Sequence, residues 1–237
     1  MKIALLSGGL GNQVFQYIFA RYVELETGEP CFLDNSSLCQ TKVAHNGYEM
    51  NVVFPNSRPR LLSEHFTEDV WQYMVERRER GIGICQQLYT DGGVNMTMVA
   101  ETDNYQFDGT VVPVPTNEFM PRICHAKGDI YYHGYWINRD WLKGAHYKEI
   151  VKELEFRSIE DEKNLRLLEE IQSTNSVALH VRRGDFLDCH WDAPAKEYCS
   201  AVKNLKKYAA DPHFLCFQMT FHGVKEMRKN WTWRIHR

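Results

Sequence analysis

The sequence lacks any long hydrophobic run. No uncharged apolar stretch comes near the ~20 residues that a transmembrane helix needs. The short apolar run at residues 1–6 stops at Ser7, and no small-residue cleavage site follows it. A signal peptide is therefore not indicated. We expect a cytoplasmic protein whose contact with a membrane is at most peripheral.

Paired cysteines and excess charge are also missing. Seven cysteines are spread over the 237 residues without a Cys-x-x-Cys pair, so neither a disulfide framework nor a zinc knuckle is indicated. The formal net charge is -3 and the pI is near 6.4. The chain as a whole therefore has no electrostatic footprint for nucleic acid or anionic lipid, and any basic site must be local.

The sequence does contain enough apolar material for a core. Hydrophobic residues make up 43% of the chain and aromatic residues 13%, which is typical of a globular protein. Residues 2–6 predict a strand, residues 8–11 a glycine loop, and the following residues a helix. Residues 31–34 predict a second strand. This order indicates an α/β protein.

A second strand and helix pattern begins later in the chain. Residues 160–173 predict a charged connecting helix, residues 176–181 a β-branched strand, and residues 196–208 another helix. We expect a domain boundary beside the connecting helix, which gives domains of residues 1–157 and 158–237. The middle of the chain has mixed periodicity and scattered Gly and Pro, and it does not resolve into a clear order of elements.

Polar residues follow the strand at residues 176–181. Strand alternation places His180 and Arg182 on one side and Arg183 on the other. Open α/β sheets bind ligands at the carboxyl ends of strands, and a guanidinium group offers a planar fork to phosphate oxygens. One interpretation is a pyrophosphate site, with Asp185 orienting an arginine or accepting from a sugar or base. The other is a surface turn with local ion pairs, and residue chemistry alone leaves both open.

The glycine loop at residues 8–11 is neither a dinucleotide fingerprint nor a P-loop, because it lacks the third glycine and the Lys-Ser/Thr pair. It delivers Asn12 and Gln13 to a helix N-terminus, where backbone N–H groups and the helix dipole favour an anion. The structural alternative is that Asn12 simply caps the helix.

Taken together, four segments in this order resemble the bacterial α-1,2-fucosyltransferase family across roughly the first 200 residues. The segments are Gly8-Gly9-Leu10-Gly11-Asn12-Gln13-Val14-Phe15-Gln16-Tyr17, Leu33-Asp34, Gly134-Tyr135-Trp136 and His180-Val181-Arg182-Arg183-Gly184-Asp185-Phe186-Leu187.

The resemblance implies a GT-B-like enzyme with two Rossmann-like halves, an acceptor-side domain at residues 1–157 and a donor domain at 158–237. The implied reaction moves L-fucose from GDP-β-L-fucose to a galactose hydroxyl of a glycan, with inversion and an α-1,2 linkage. The implied partners are the sugar nucleotide and the glycan, without nucleic acid. No Asp-x-Asp triad occurs in the chain, so we expect no metal and no cofactor.

The resemblance also implies roles for single residues. Arg182 would grip the β-phosphate of the leaving GDP, where a fixed cation stabilises the charge that develops in the transition state. The residues expected beside it are His180, Arg183 and Asp185, with Gly11, Asn12 and Gln13 contributed by the N-terminal half.

The catalytic base is not selected by the sequence. An inverting transfer needs a base for the acceptor hydroxyl, and four candidates follow the arginine motif: Asp188, His190, Asp192 and Glu197. For any one of them, a solvated loop or helix charge is the favoured interpretation. The aromatic run at residues 131–136 could stack on an acceptor sugar, but such runs more often belong to a core, and we interpret it as mainly structural.

The chain departs from the resemblance after Phe217. A back-translation of residues 217–225 in the neighbouring frame yields Phe-Ser-Asp-Asp-Ile-Ser-Trp-Cys-Lys, which is the family's pattern, and the residues that follow turn abruptly basic. We therefore hypothesise a frameshift that leaves residues 218–237 outside the family frame and the donor domain incomplete. The alternative is a genuine divergent C-terminus with a basic helix. Reading the gene's DNA through codon 217 separates the two.

Two further functional hypotheses remain open at this point. A donor domain without its later strands would have an unpaired sheet edge and an incomplete nucleotide pocket, so the chain could be an inactive remnant that at most binds GDP-sugar or glycan. A nucleic-acid binder has only the basic tail in its favour, and it would require salt-dependent binding.

Overall fold

A computed structural model describes residues 1–42, 46–181, 190, 192–218 and 234–236, the last three and residue 218 by their backbone alone. The chain forms two compact units, Met1–Arg157 and Ser158–Arg237. Each contains its own parallel sheet, which confirms the predicted α/β class. The GT-B arrangement and the roles of the two halves stay predictions. Among the described residues, no helix is both long and apolar enough to cross a bilayer.

The elements of the first unit alternate between strands and helices. In chain order they are β1 (Lys2–Leu5), α1 (Leu10–Thr27), β2 (Cys31–Asp34), α2 (Met50–Val53), α3 (Glu68–Glu79), α4 (Ile84–Thr90), β3 (Met96–Ala100), β4 (Thr110–Pro113), β5 (Asp129–His133) and α5 (Tyr147–Glu153).

The five strands form a sheet in the order β2-β1-β5-β3-β4, and all neighbours are parallel. In the registered pairs, Ala4 of β1 lies between Leu33 of β2 and Tyr132 of β5. All four residues of β1 are buried. This burial is what a central parallel strand requires, because helices cover both faces of such a sheet.

Strand alternation sends neighbouring side chains into two separate cores. Ala4 and Tyr132 belong to the core that α1 covers, where Phe19 stacks on Trp136 with ring centroids 4.2 Å apart. Ile3 and Tyr131 belong to the opposite core, which is covered by α3 and α4. The successive strand residues therefore anchor the helices on both faces of the sheet.

The middle of this unit differs from the sequence prediction. Residues 40–121 contain two short strands, β3 and β4, that the mixed periodicity did not indicate. The charged helix α3 begins at Glu68, because Thr67 has extended backbone geometry at its N-cap. The aromatic strand ends at His133, and Trp136 further on has a left-handed φ of 55°.

The second unit is smaller. Its elements are α6 (Glu162–Ser173), β6 (Ser176–Val181), α7 (Ala195–Leu205), β7 (His213–Gln218) and β8 (Arg234–His236). The strands pair in parallel in the order β6-β7-β8. The bounds predicted for β6 are confirmed. A small core of Val181, Val202, Phe214 and Cys216 holds α7 against β6 and β7.

The connecting helix α6 begins two residues later than residue 160, where its prediction started. The side chain of Asp161 accepts a hydrogen bond of 2.9 Å from the backbone N–H of Asn164 and so caps the helix. An aspartate at this position stabilises the first turn because it satisfies an unpaired N–H group. This local signal sets the start of the helix.

Candidate functional site

The carboxyl edge of the first sheet has a topological switch point beside β1. The chain leaves β1 through α1 to reach β2 on one side, while β5 lies on the other side. In open α/β sheets ligands bind in the crevice at such a point. The loops that meet there are the glycine loop after β1 and the Gly134-Tyr135 turn after β5.

Gln16 connects these two loops. Its Oε1 accepts from the backbone N–H of Ser7 at 2.9 Å, and its Nε2 donates to the Ser7 hydroxyl at 3.3 Å and to the Gly134 carbonyl at 3.1 Å. The side chain is fully buried. Gln16 therefore fixes the distance between the ends of β1 and β5.

Gln13 is engaged in the same way. Its Nε2 donates to the carbonyls of Gly8 at 2.9 Å and Gly47 at 2.8 Å, and its Oε1 accepts from the Glu49 N–H at 3.1 Å. Both amide hydrogens are thereby used within the first unit, and the side chain is fully buried. In this arrangement Gln13 shapes the glycine loop, and its predicted contact with a donor phosphate stays a prediction.

Asn12 does not cap helix α1, so the capping interpretation is wrong. Gly9 is the N-cap residue, no side chain caps the helix, and Asn12 lies in its first turn. The Asn12 side chain instead covers Gly8, where a Cβ would lie 2.6 Å from Asn12 Nδ2. Gly8 has a φ of 78°, so this position requires glycine both for its backbone and for its close neighbour.

The electrostatic environment at the N-terminus of α1 is favourable to an anion. Gly11 is exposed, Asn12 is half-buried, and the first turn contains no acidic residue that would offset the helix dipole. The predicted role of Gly11 and Asn12 in binding a donor phosphate is compatible with this geometry and stays a prediction.

Glu101 is a site residue that the sequence analysis missed. It follows β3, is 5% exposed, and its Oε2 accepts from the backbone N–H groups of Tyr135 at 2.9 Å and Trp136 at 2.7 Å. Its Oε1 accepts from the Asn117 N–H at 2.8 Å. One carboxylate therefore holds the turn after β5 and the loop after β4. Nothing in the local sequence signals this role, because every partner is distant along the chain.

Asp34 forms a second buried anchor at the end of β2. Its Oδ2 accepts from the Tyr131 hydroxyl at 2.6 Å and lies 3.7 Å from Arg78 Nη1, and its Oδ1 accepts from the Ser36 N–H at 3.0 Å. Burial, and next the Asp34 charge, raise the pKa of Tyr131 well above its usual value, so the phenol remains a hydrogen-bond donor. Asp34 therefore has a structural role, and this role accounts for the Leu33-Asp34 segment of the sequence.

The aromatic run at residues 131–136, which begins within β5, is mostly core. Tyr131, Tyr132 and Trp136 are 2% exposed or less, whereas Tyr135 is 41% exposed. This confirms the structural interpretation for the three buried rings. Of these four residues, Tyr135 presents its ring to solvent.

In the second unit, His180 lies at the carboxyl end of β6 with its side chain exposed. Val177, Leu179 and Val181 point to the core under α7, so alternation directs His180 to the opposite face of the sheet. Arg182, Arg183, Asp185 and Asp188 lie outside the described residues.

The described geometry does not select a base among the remaining candidates. His190 is exposed and has a φ of 56°. Glu197 is exposed in the first turn of α7, where a carboxylate is favourable to the helix dipole. Asp192 is half-buried. Within the residues that the structure describes, no group of three or more His, Cys, Asp or Glu could hold a metal ion.

Comparison with known proteins gives one informative similarity. The chain is 26% identical over 235 residues to an alpha-1,2-colitosyltransferase of Escherichia coli, and the match covers 95% of this chain and 71% of the relative. No family model matches the chain. No solved structure matches it either.

Proposed function

We propose that this chain is a glycosyltransferase that moves a sugar from a nucleotide donor to a glycan. The observation that carries the proposal is the similarity to an alpha-1,2-colitosyltransferase along 95% of the chain. Two parallel sheets with polar side chains at their carboxyl ends support it, because this is where such folds bind nucleotides and sugars.

The proposed donor is GDP-β-L-fucose and the proposed acceptor is a galactose hydroxyl, with inversion and an α-1,2 linkage. The four sequence segments favour fucose. The similarity to a colitosyltransferase makes GDP-colitose the second candidate donor. Colitose is L-fucose without its 3-hydroxyl group, so the two hypotheses differ by one polar contact in the donor pocket.

In the proposed reaction, negative charge develops on the departing GDP while the sugar becomes oxocarbenium-like. The proposed role of the Arg182 guanidinium is to neutralise the β-phosphate, with Arg183 and Asp185 as further proposed donor-binding residues. His180, near the carboxyl end of β6 with an exposed side chain, donates to a phosphate oxygen. Preorganised cations and donors of this kind lower the barrier because they are aimed at charge that exists only in the transition state. A metal ion is not required in this scheme.

Thermal unfolding of the full chain with GDP tests the donor site. A bound nucleotide stabilises the folded state by about 2.7 kcal/mol when its concentration is about 100 times Kd. We expect Arg182→Ala to abolish this stabilisation and Arg182→Lys to keep only part of it, because lysine provides charge without the planar fork.

Arg139→Ala is the matched control, since Arg139 lies in the first unit with 89% of its side chain exposed. The control should retain the full GDP effect. Absence of any stabilisation of the wild-type chain, or its persistence in Arg182→Ala, contradicts the proposed donor site. Stabilisation without sugar transfer supports the remnant hypothesis in place of an active enzyme.

A further inference from the structure

A cavity of about 270 Å³ opens at the carboxyl edge of the first sheet, away from the glycine loop. Its walls come from Met98 within β3, from His133 at the end of β5, and from the α3–α4 junction at Arg78 and Gly83. All of these residues belong to the first unit. None of the functional roles assigned above uses this cavity.

The cavity carries little net charge. Its one guanidinium, Arg78, lies 3.7 Å from the fully buried Asp34 carboxylate. Burial, and next the nearby Arg78 charge, lower the pKa of His133, so the imidazole is neutral at physiological pH. Among the described lining residues, a strongly anionic ligand would therefore find the single guanidinium of Arg78, which is already compensated.

The lining combines hydrogen-bonding groups with apolar surface. Side-chain amides of Gln40, Asn104 and Gln106 contribute donors and acceptors, while Ile84 and Cys85 are apolar and buried. An amide presents both a donor and an acceptor, which suits hydroxyl groups that also do both. An apolar ligand would leave these amides without partners.

An aromatic ring completes the lining. Tyr105 lines the cavity and packs edge-on against His133, with ring centroids 5.6 Å apart. Aromatic rings bind the C–H face of a sugar while polar groups bind its edge. The volume is small for a drug-sized ligand and suits a single ring.

We propose that this cavity binds one uncharged pyranose ring, with amide contacts to its hydroxyls and Tyr105 against its apolar face. The inference rests on the proposed function, in which the ring would be the terminal sugar of the glycan acceptor. The binding itself needs neither a donor nor catalysis.

The test is a titration of the full chain with methyl β-D-galactopyranoside, monitored by ligand-observed NMR in the absence of any nucleotide. The double variant Asn104→Ala/Gln106→Ala should bind the probe about tenfold more weakly, since each hydrogen bond contributes modestly to affinity. Both side chains are exposed, so the fold should be unaffected. Gln72→Ala is the control, an exposed amide on α3 outside the lining.

A second variant places a new side chain in the cavity. Gly83 has a φ of -61°, and a Cβ added there meets no atom within 4 Å, so Gly83→Leu should fold normally and abolish binding. Equal binding by wild type and both variants would overturn the inference, as would tighter binding of galacturonate than of the neutral galactoside. If the galactoside fails to bind but GDP stabilisation and transfer persist, only this inference fails. Binding without transfer leaves the inference intact and removes the proposed function.

Discussion

Replacement of Glu101 should destabilise the first unit strongly. In Glu101→Ala, the three backbone N–H groups of Asn117, Tyr135 and Trp136 lose their shared acceptor. Trp136 is 1% exposed, so its N–H group has no bulk water at hand to replace the carboxylate. A buried unpaired donor costs about 1–3 kcal/mol and a more accessible one less, which gives an expected loss of about 3–5 kcal/mol.

The isosteric variant Glu101→Gln separates the acceptor from the charge. Its amide oxygen can serve Tyr135 and Trp136, but the amide nitrogen then faces the Asn117 N–H as a second donor. We expect a loss of about 1–2 kcal/mol, which corresponds to one unmade bond and weaker remaining bonds.

Urea unfolding monitored by tryptophan fluorescence measures both losses, because Trp136 and Trp141 are buried in this unit. The midpoint should fall while the slope stays unchanged. A loss below about 1 kcal/mol for Glu101→Ala would refute the argument that this carboxylate holds the turn after β5.

A double-mutant cycle with Gly134 checks the same contact independently. A Cβ at Gly134 would lie 2.5 Å from Glu101 Oε2, so Gly134→Ala must displace the carboxylate. We expect Gly134→Ala to destabilise the wild type but to add little in the Glu101→Ala background. Additive effects would show that the two residues are not coupled.

Two further predictions concern titration and thiol reactivity. Burial, and next Arg78, lower the folded-state pKa of His133, so the unfolded chain binds more protons just below the ordinary histidine pKa of ~6.5, and the free energy of unfolding decreases as the pH is lowered through this range. Urea unfolding at several pH values should show a smaller decrease for His133→Asn, and an identical decrease would contradict this. Burial raises the pKa of Cys124 to about 12 and that of Cys31 well above its usual value, so maleimide labelling followed by mass spectrometry should modify the exposed Cys39 before these two buried thiols; labelling of the buried pair in the folded protein at the same rate would contradict the described burial.

Local sequence patterns were sufficient to predict the strands whose own residues favour strand formation. Residues 176–181 contain two β-branched valines and two further apolar residues, and β6 has these bounds. The short strands β3 and β4 were missed because Met96–Ala100 and Thr110–Pro113 are stabilised by pairing with distant strands and show no clear period. Strand formation depends on such context more than helix formation does.

The candidate site was only partly predictable for the same reason. The glycine loop and His180 are local motifs, and the structure places both at carboxyl ends of strands. The partners of Gln16 and Glu101 lie up to 118 residues away along the chain, so their roles could not be read from spacing. Gln13 illustrates the limit, since a residue predicted to contact a ligand has its amide hydrogens bonded inside the protein.

The most direct test of the proposed function is sugar transfer by the purified full chain. The chain is incubated with GDP-β-L-fucose and a β-galactoside in the presence of EDTA, and the product is identified by mass spectrometry and NMR, with GDP-colitose tested in parallel. We predict an α-1,2-linked fucosyl galactoside, formed with inversion and without a metal, and lost in Arg182→Ala. A folded chain that transfers neither sugar to any galactoside would contradict the proposal.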